Sequence, residues 1–430
     1  LGFLAMLSPF LILSFYTVLG AYCMEYMSLN LADLAFGVAA MAGMSGGDSF
    51  GSMLTNQFGS VAFTFLFIFI CFLIIRGGIK DGIEKFNKIG MPALFFMLVV
   101  VIVRSVTLPG ASEGLAFMFA PNFTPLKEDF LKVLSTAGGQ MFFSLSLAMG
   151  ITITYGSYMK KEQNIVKNSV VVVFADTLVA IMAGIAVIPA AVATYGPSAT
   201  LSGPKLLFIT LQDVFQAMGA IGPLFGVIFY LFVLVAAISS AIALIEVVVT
   251  FLLDHAESKG KQGNRSKTVF WVCVAVMIEA AIVALDGLGS NVDAMGNAMF
   301  VPVPFQKMLG IGPWNDCWLD FMDAFSEGLA MPAGALIMSI MIGWELRTKP
   351  ITDEIHHGAE QIHWLNRFMD ICLKFIVPIA MAFILGGQIG DFFTMDAAVQ
   401  GQSVYYIGYA IGAVILVASW AVAITSPKRK

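Results

Sequence analysis

Long apolar runs separated by short polar segments dominate this chain. A helix needs about 20 apolar residues to cross a bilayer. Ten runs approach or exceed that length: Leu1–Met24, Ser60–Ile75, Ile89–Val106, Gly139–Met159, Asn168–Ala193, Ile221–Leu253, Val269–Leu285, Phe321–Trp344, Phe368–Leu385 and Val404–Ile424. The second is short, and the sixth is long enough to extend beyond the membrane. The pattern predicts an all-α polytopic membrane protein forming one transmembrane domain over residues 1–430. The connections 27–59, 107–137, 194–220 and 286–317 are long and rich in Gly and Pro, and each is expected to carry short helices capping one face.

The fourth run departs from the others. Gly138, Gly139 and Gly150 flank a stretch that also holds Gln140, Ser144 and Ser146. Two readings are open. The serines can bond back to their own helix, or the helix can break and turn backbone groups toward a ligand, as in secondary transporters.

Composition fits the membrane reading: 59% hydrophobic, 12% charged, mean hydropathy +0.87, against about 25% charged for a soluble domain. Alternate connections are cationic: Arg76, Lys80, Lys85 and Lys88; Lys160, Lys161 and Lys167; Lys259, Lys261, Arg265 and Lys267; Arg347, Lys349 and Arg367; and Lys428, Arg429 and Lys430. The opposite side holds only Arg104, Lys127, Lys132, Lys205 and Lys307. Cationic loops stay cytoplasmic, so a multi-pass protein of the cell inner (plasma) membrane with a cytoplasmic C-terminus is expected. The chain opens inside an apolar run without Met, which reads as a fragment rather than a signal peptide.

The five scattered cysteines read as apolar fillers. His356 and His357 with His363 form a weak metal pattern, read as a solvated loop. No phosphate-binding glycine loop, nucleophile–base pair or nucleic-acid surface is visible, so neither an enzyme nor a nucleic-acid partner is expected.

Ionisable residues inside membrane helices are rare and mark pathways or cavities. Asp176 lies within the fifth run without a nearby intramembrane Lys or Arg, and a cation would neutralise it. Glu246 reads as a structural partner to another helix, and Glu279 has no assigned role. Asp323 is open between an interfacial helix cap and a functional acid. Ser239 and Ser240, with a carbonyl one turn earlier, can cage a small hard cation or simply allow close helix packing.

Several stretches together resemble the neurotransmitter:sodium symporter family, in its bacterial sodium-dependent amino-acid transporter branch. They are Ser14-Phe15-Tyr16-Thr17-Val18, the segment from Arg76 to Lys85, Leu108 to Leu115, and Gly139 to Leu147 continuing through Thr154-Tyr155-Gly156-Ser157-Tyr158. The resemblance runs nearly end to end. It implies a fold of two inverted five-helix repeats plus two further helices, with ten of twelve helices present. Residues 1–106 would be helices 3–5, 139–344 helices 6–10, and 368–424 helices 11 and 12.

The resemblance also implies site residues. Ser144 and Asp176 match one sodium site, and the Ala236 carbonyl, Ser239 and Ser240 match a second. Gln140, Ser144 and Asp176 match the chloride-site region of chloride-dependent relatives. Those relatives carry Ser where this chain has Ala180, so the Asp176 carboxylate is expected to supply the fixed negative charge, making transport chloride-independent. Tyr16, Phe143, Ser144 and Ser240, with Ile12, Ser146, Met149 and Leu244, match substrate-binding positions. Phe143 and Asp323 match an extracellular gate, and Tyr158 with Asp254 an intracellular one.

The expected function is sodium-coupled import of a neutral, apolar amino acid by alternating access, using Na+ at two sites and no organic cofactor. The alternative is a non-transporting receptor or accessory protein on the same scaffold. Oligomeric state stays open.

Overall fold

The computed structural model describes residues 2–37, 44–196, 203–290, 317–346, 348–355, 363–393 and 402–425. Among these the regular structure is helical. Nine helices are long and apolar enough to cross a membrane: α1 (Gly2–Phe36), α3 (Gln57–Arg76), α4 (Gly82–Val106), α8 (Ile165–Tyr195), α10 (Gly219–Ser258), α11 (Arg265–Asp286), α12 (Trp318–Glu345), α13 (Trp364–Gly390) and α14 (Tyr406–Ile424). Lipid offers the backbone no hydrogen-bond partner, so helices that close their own bonds are the natural spanning form.

The fourth apolar run is not one helix. Gly139–Met159 falls across α6 (Phe130–Ser144) and α7 (Ile151–Ser157), separated by residues 145–150. Of the two readings left open by the sequence, the break is the one realised. The first helix is longer than its apolar run, reaching Phe36 instead of Met24. Short capping helices occur where the long connections were expected to carry them: α2 (Gly46–Thr55), α5 (Ala111–Phe119) and α9 (Leu206–Ala217). Residues 291–316 of the fourth connection, and His356 and His357, lie outside the described residues.

The core centres on α1 and α10, which lie along one another and are flanked by α3, α4 and α11. Leu13, Val18, Ala21, Ile242 and Ile245 are fully buried there. At one end, Tyr22, Tyr26, Phe50 and Tyr230 surround the buried Phe208 ring of α9, with centroids 5.1–6.2 Å away. Helix α8 is different: only 6% of its apolar window is buried. Helix α13 bridges α6, α12 and α14. Four of the five cysteines are buried, as apolar fillers should be, and Cys372 is partly so.

Candidate functional site

The break between α6 and α7 is a folded feature with its own hydrogen bonds. Helix α6 closes with Ser146 N–H donating to Phe143 O at 3.1 Å and Leu147 N–H to Phe142 O at 2.9 Å. That pair is a Schellman cap, whose left-handed residue is usually glycine. Here it is Ser146, at φ 53°, followed by Ala148 at 62° and Gly150 at 75°. Non-glycine residues in this region are strained, and such strain gathers at functional sites. Gly150 has a further constraint: a Cβ there would lie 3.0 Å from Val247 Cγ1 and 3.2 Å from Ala5 O. The break is therefore pressed directly onto α1 and α10.

A cavity of about 540 Å³ opens beside the break. Its walls come from α1 (Ile12, Tyr16), α4 (Asn87, Met91), α6 and the break (Gln140, Phe143, Ser144, Ser146, Met149), α7 (Ile151, Tyr155) and α10 (Ser239, Ser240, Ala243, Leu244). All eight residues assigned to substrate from sequence line it. No charged side chain does so among the described residues. Ile12, Met149 and Leu244 are nearly inaccessible, and the Tyr16 side chain lies beside Ser240.

Two oxygen clusters sit near this cavity. The Ser144 hydroxyl lies 2.9 and 2.8 Å from the two carboxylate oxygens of Asp176. Asp176 has no ion-pair partner among the described residues. Ser144 has one proton to donate, which leaves its lone pairs available to a cation. On α10, Ser239 donates to the Ala236 carbonyl at 2.7 Å, and Ser240 follows on the cavity wall. Every atom in both clusters is a hard oxygen, the donor type that alkali and alkaline-earth cations take. Gln140 is exposed on the cavity wall, one turn before Ser144.

The gate expectations divide. Phe143 lines the cavity, whereas Asp323 lies on α12 away from its walls. Among the described residues no hydrogen bond joins Tyr158 to Asp254. Asp254 is exposed, while the Tyr158 hydroxyl donates to Glu246 Oε1 at 2.8 Å and meets the Thr250 hydroxyl at 2.9 Å. Glu246 is fully buried and holds Arg265 in a two-pronged pair of 2.9 and 2.7 Å. Arg265, read from sequence as a loop cation, is thus the partner of the buried carboxylate. The pairing locks α10 to α11, and Tyr158 ties the end of the α6–α7 unit to both. The sequence reading of Glu246 as a structural partner fits, but its partner was not legible. Asn87, Met91, Ile151, Tyr155 and Ala243 were also missed on the cavity wall. Their apolar or helix-start context carries no distinguishing signal.

A helical membrane protein with a strained helix break facing a cavity and two oxygen clusters belongs to the class of membrane transporters with discontinuous helices. Residues 49–295 match the Sodium:neurotransmitter symporter family, and the chain belongs to it. It is 28% identical over 390 residues to a sodium-dependent transporter of Bacillus subtilis, YhdH, covering 90% of this chain and 79% of the relative. A sodium-dependent transporter of Haemophilus influenzae is 29% identical, with 89% and 78% covered. The crystal structure of MhsT in complex with L-phenylalanine superposes with TM-score 0.72 and 31% identity, covering 89% of this chain and 79% of that one. The protein is therefore a sodium-dependent membrane transporter with a small-molecule substrate, and not an enzyme.

Proposed function

We propose that this protein couples sodium entry to import of a neutral, apolar amino acid, without a requirement for chloride. The observation that carries this reading is the composition of the cavity wall. Apolar side chains (Ile12, Phe143, Met149, Leu244) line it together with the hydroxyls of Tyr16, Ser144, Ser146, Ser239 and Ser240, a division between apolar and polar groups. An amino acid has the same division between side chain and charged backbone. A charged substrate side chain would find no counter-charge on these walls, and burying it unpaired would cost several kcal/mol. MhsT, similar in fold and sequence, was crystallised with L-phenylalanine, which supports an apolar substrate here.

In this reading Tyr16 donates its hydroxyl to the substrate carboxylate. Phe143 closes over the substrate, and Met149, unbranched and adaptable, accommodates side chains of differing shape. One sodium ion binds at Ser144 and Asp176, the other at the Ala236 carbonyl, Ser239 and Ser240. The Asp176 charge offsets the ion beside it, which removes the need for a bound anion. Protonation of the same carboxylate after sodium leaves would give proton counter-transport, and a rate insensitive to internal pH would remove that step. Asp323 serves the outer gate. The cationic connections put the C-terminus in the cytoplasm of a cell whose inner membrane carries the protein. Sodium moving inward then contributes about 2.3 kcal/mol per charge per 100 mV to uphill uptake. Each ligand drives the cycle only through its differential affinity for the outward and inward states.

Sodium-gradient-driven uptake in proteoliposomes, with labelled neutral amino acids and gluconate in place of chloride, tests this. Uptake that persists without chloride supports the reading. Uptake that needs chloride removes the role of Asp176, and no sodium-dependent uptake of any amino acid removes the substrate class.

A further inference from the structure

Asn87 is unexplained by the substrate and ion residues considered so far. It lies near the start of α4, between the exposed Lys85 and Lys88, so it stands at the water-facing rim of the membrane. It nevertheless lines the central cavity, and its amide oxygen is buried with no hydrogen-bond partner. A buried acceptor without a donor is costly. On a cavity-lining residue, a species that binds oxygen can meet that need.

The packing of α4 on α10 identifies that species. A Cβ on Gly90 would lie 3.0 Å from Val235 Cγ1, which sets the register between the two helices. Crossings by the α6–α7 pair and by α8 separate α4 from α10, so the two run in opposite directions. Stepping one turn from Gly90 toward the rim reaches Asn87, and stepping one turn from Val235 the same way reaches Ser239. Asn87 and Ser239 thus share one level of the bundle, and both line the same cavity. The Ser239 hydroxyl spends its proton on the Ala236 carbonyl, so what it turns to the cavity is lone pairs. An acceptor without a donor and a hydroxyl whose proton is already used, on residues lining one cavity, are suited to a cation.

We propose that Asn87 is a further cation-binding residue, whose amide oxygen meets the sodium ion on the rim side of Ala236, Ser239 and Ser240. The ion leaves those oxygens for water by way of Asn87, so its charge is not stripped of all ligands in the passage. This rests on the assignment of Ser239 and Ser240 to sodium.

The test is the sodium dependence of uptake, with direct 22Na binding to the purified protein, for wild type, Asn87→Ala, Asn87→Asp and Ser239→Ala. In Asn87→Ala the half-saturating sodium concentration rises about tenfold, in keeping with loss of one hydrogen-bond-strength contact to a charge. The substrate KM at saturating sodium stays near wild type, which a merely structural role for Asn87 would not preserve. Asn87→Asp keeps an oxygen at the site and restores sodium dependence, separating loss of the ligand from loss of the fold. Unchanged sodium dependence in Asn87→Ala, with a rise in Ser239→Ala, overturns the proposal and leaves the second sodium site standing. Unchanged dependence in Ser239→Ala as well overturns that site, and the role of Asn87 with it. Failure of Asn87→Asp to restore sodium dependence also overturns the proposal.

Discussion

The hydroxyl of Ser144 sits 2.9 and 2.8 Å from the two oxygens of Asp176, across the interface between the broken helix and α8. Serine is the last residue of α6, so the carboxylate of one helix is held at the point where another stops. A carboxylate within a membrane span and without a basic partner is costly, and a bound cation offsets that cost.

Replacing that charge is the most direct check. Asp176→Asn retains a hydrogen-bond acceptor for Ser144 but removes the negative charge. Sodium-driven uptake in chloride-free medium is expected to fall at least about tenfold, equivalent to roughly 1.4 kcal/mol. Uptake in chloride-free medium that equals wild type would show that the charge is not used.

The substrate side of the cavity can be tested by volume. Met149→Trp fills space among Ile12, Phe143 and Leu244. The KM for phenylalanine is expected to rise about tenfold, as overpacking costs about 1–3 kcal/mol, while that for alanine changes much less. Equal effects on both substrates, measured in competition uptake assays, would place the substrate side chain elsewhere.

Gly150 is constrained twice, by φ 75° and by contacts a Cβ would make with Val247 and Ala5. Gly150→Ala is expected to lower stability by about 1–3 kcal/mol and to reduce transport. Thermal unfolding in detergent reads the first effect, and uptake the second.

Ser146 gives the opposite sign. At φ 53° it occupies the position of the helix cap that glycine fills without strain. Ser146→Gly is expected to raise stability by about 1 kcal/mol. A lowered midpoint in the same unfolding assay would mean that the hydroxyl contributes more than the strain costs.

Glu246 is fully buried and its charge is met by Arg265. Arg265→Ala strands a buried carboxylate and is expected to cost about 3–5 kcal/mol. Adding Glu246→Gln to it recovers part of that loss. A double change no better than the single one would mean that Arg265 acts through packing alone.

The apolar spans, the capping helices and the irregularity between Gly138 and Gly150 were legible in the chain. Each is a local matter: run length, turn residues, or glycines beside hydroxyls in an apolar stretch. The resemblance carried the oxygen clusters further, to Ser144, Asp176, Ser239 and Ser240. What local reading missed were partners distant in sequence. Arg265 looked like one cation among several in a polar connection, and the resemblance grouped Tyr158 with Asp254 in an intracellular gate. Asn87, between Lys85 and Lys88, carried no signal of its own.

By itself the sequence determined that this protein lives in a bilayer, because a hydrocarbon solvent demands long apolar helices whatever their neighbours. It also marked where one of them cannot run straight. The tertiary structure alone decided that Tyr158 serves Glu246 and Arg265 and that Asn87 shares a level with Ser239. Those pairings depend on how helices far apart in the chain are packed and rotated against one another, and that follows from side-chain fit along whole helix faces, not from any one segment's hydropathy.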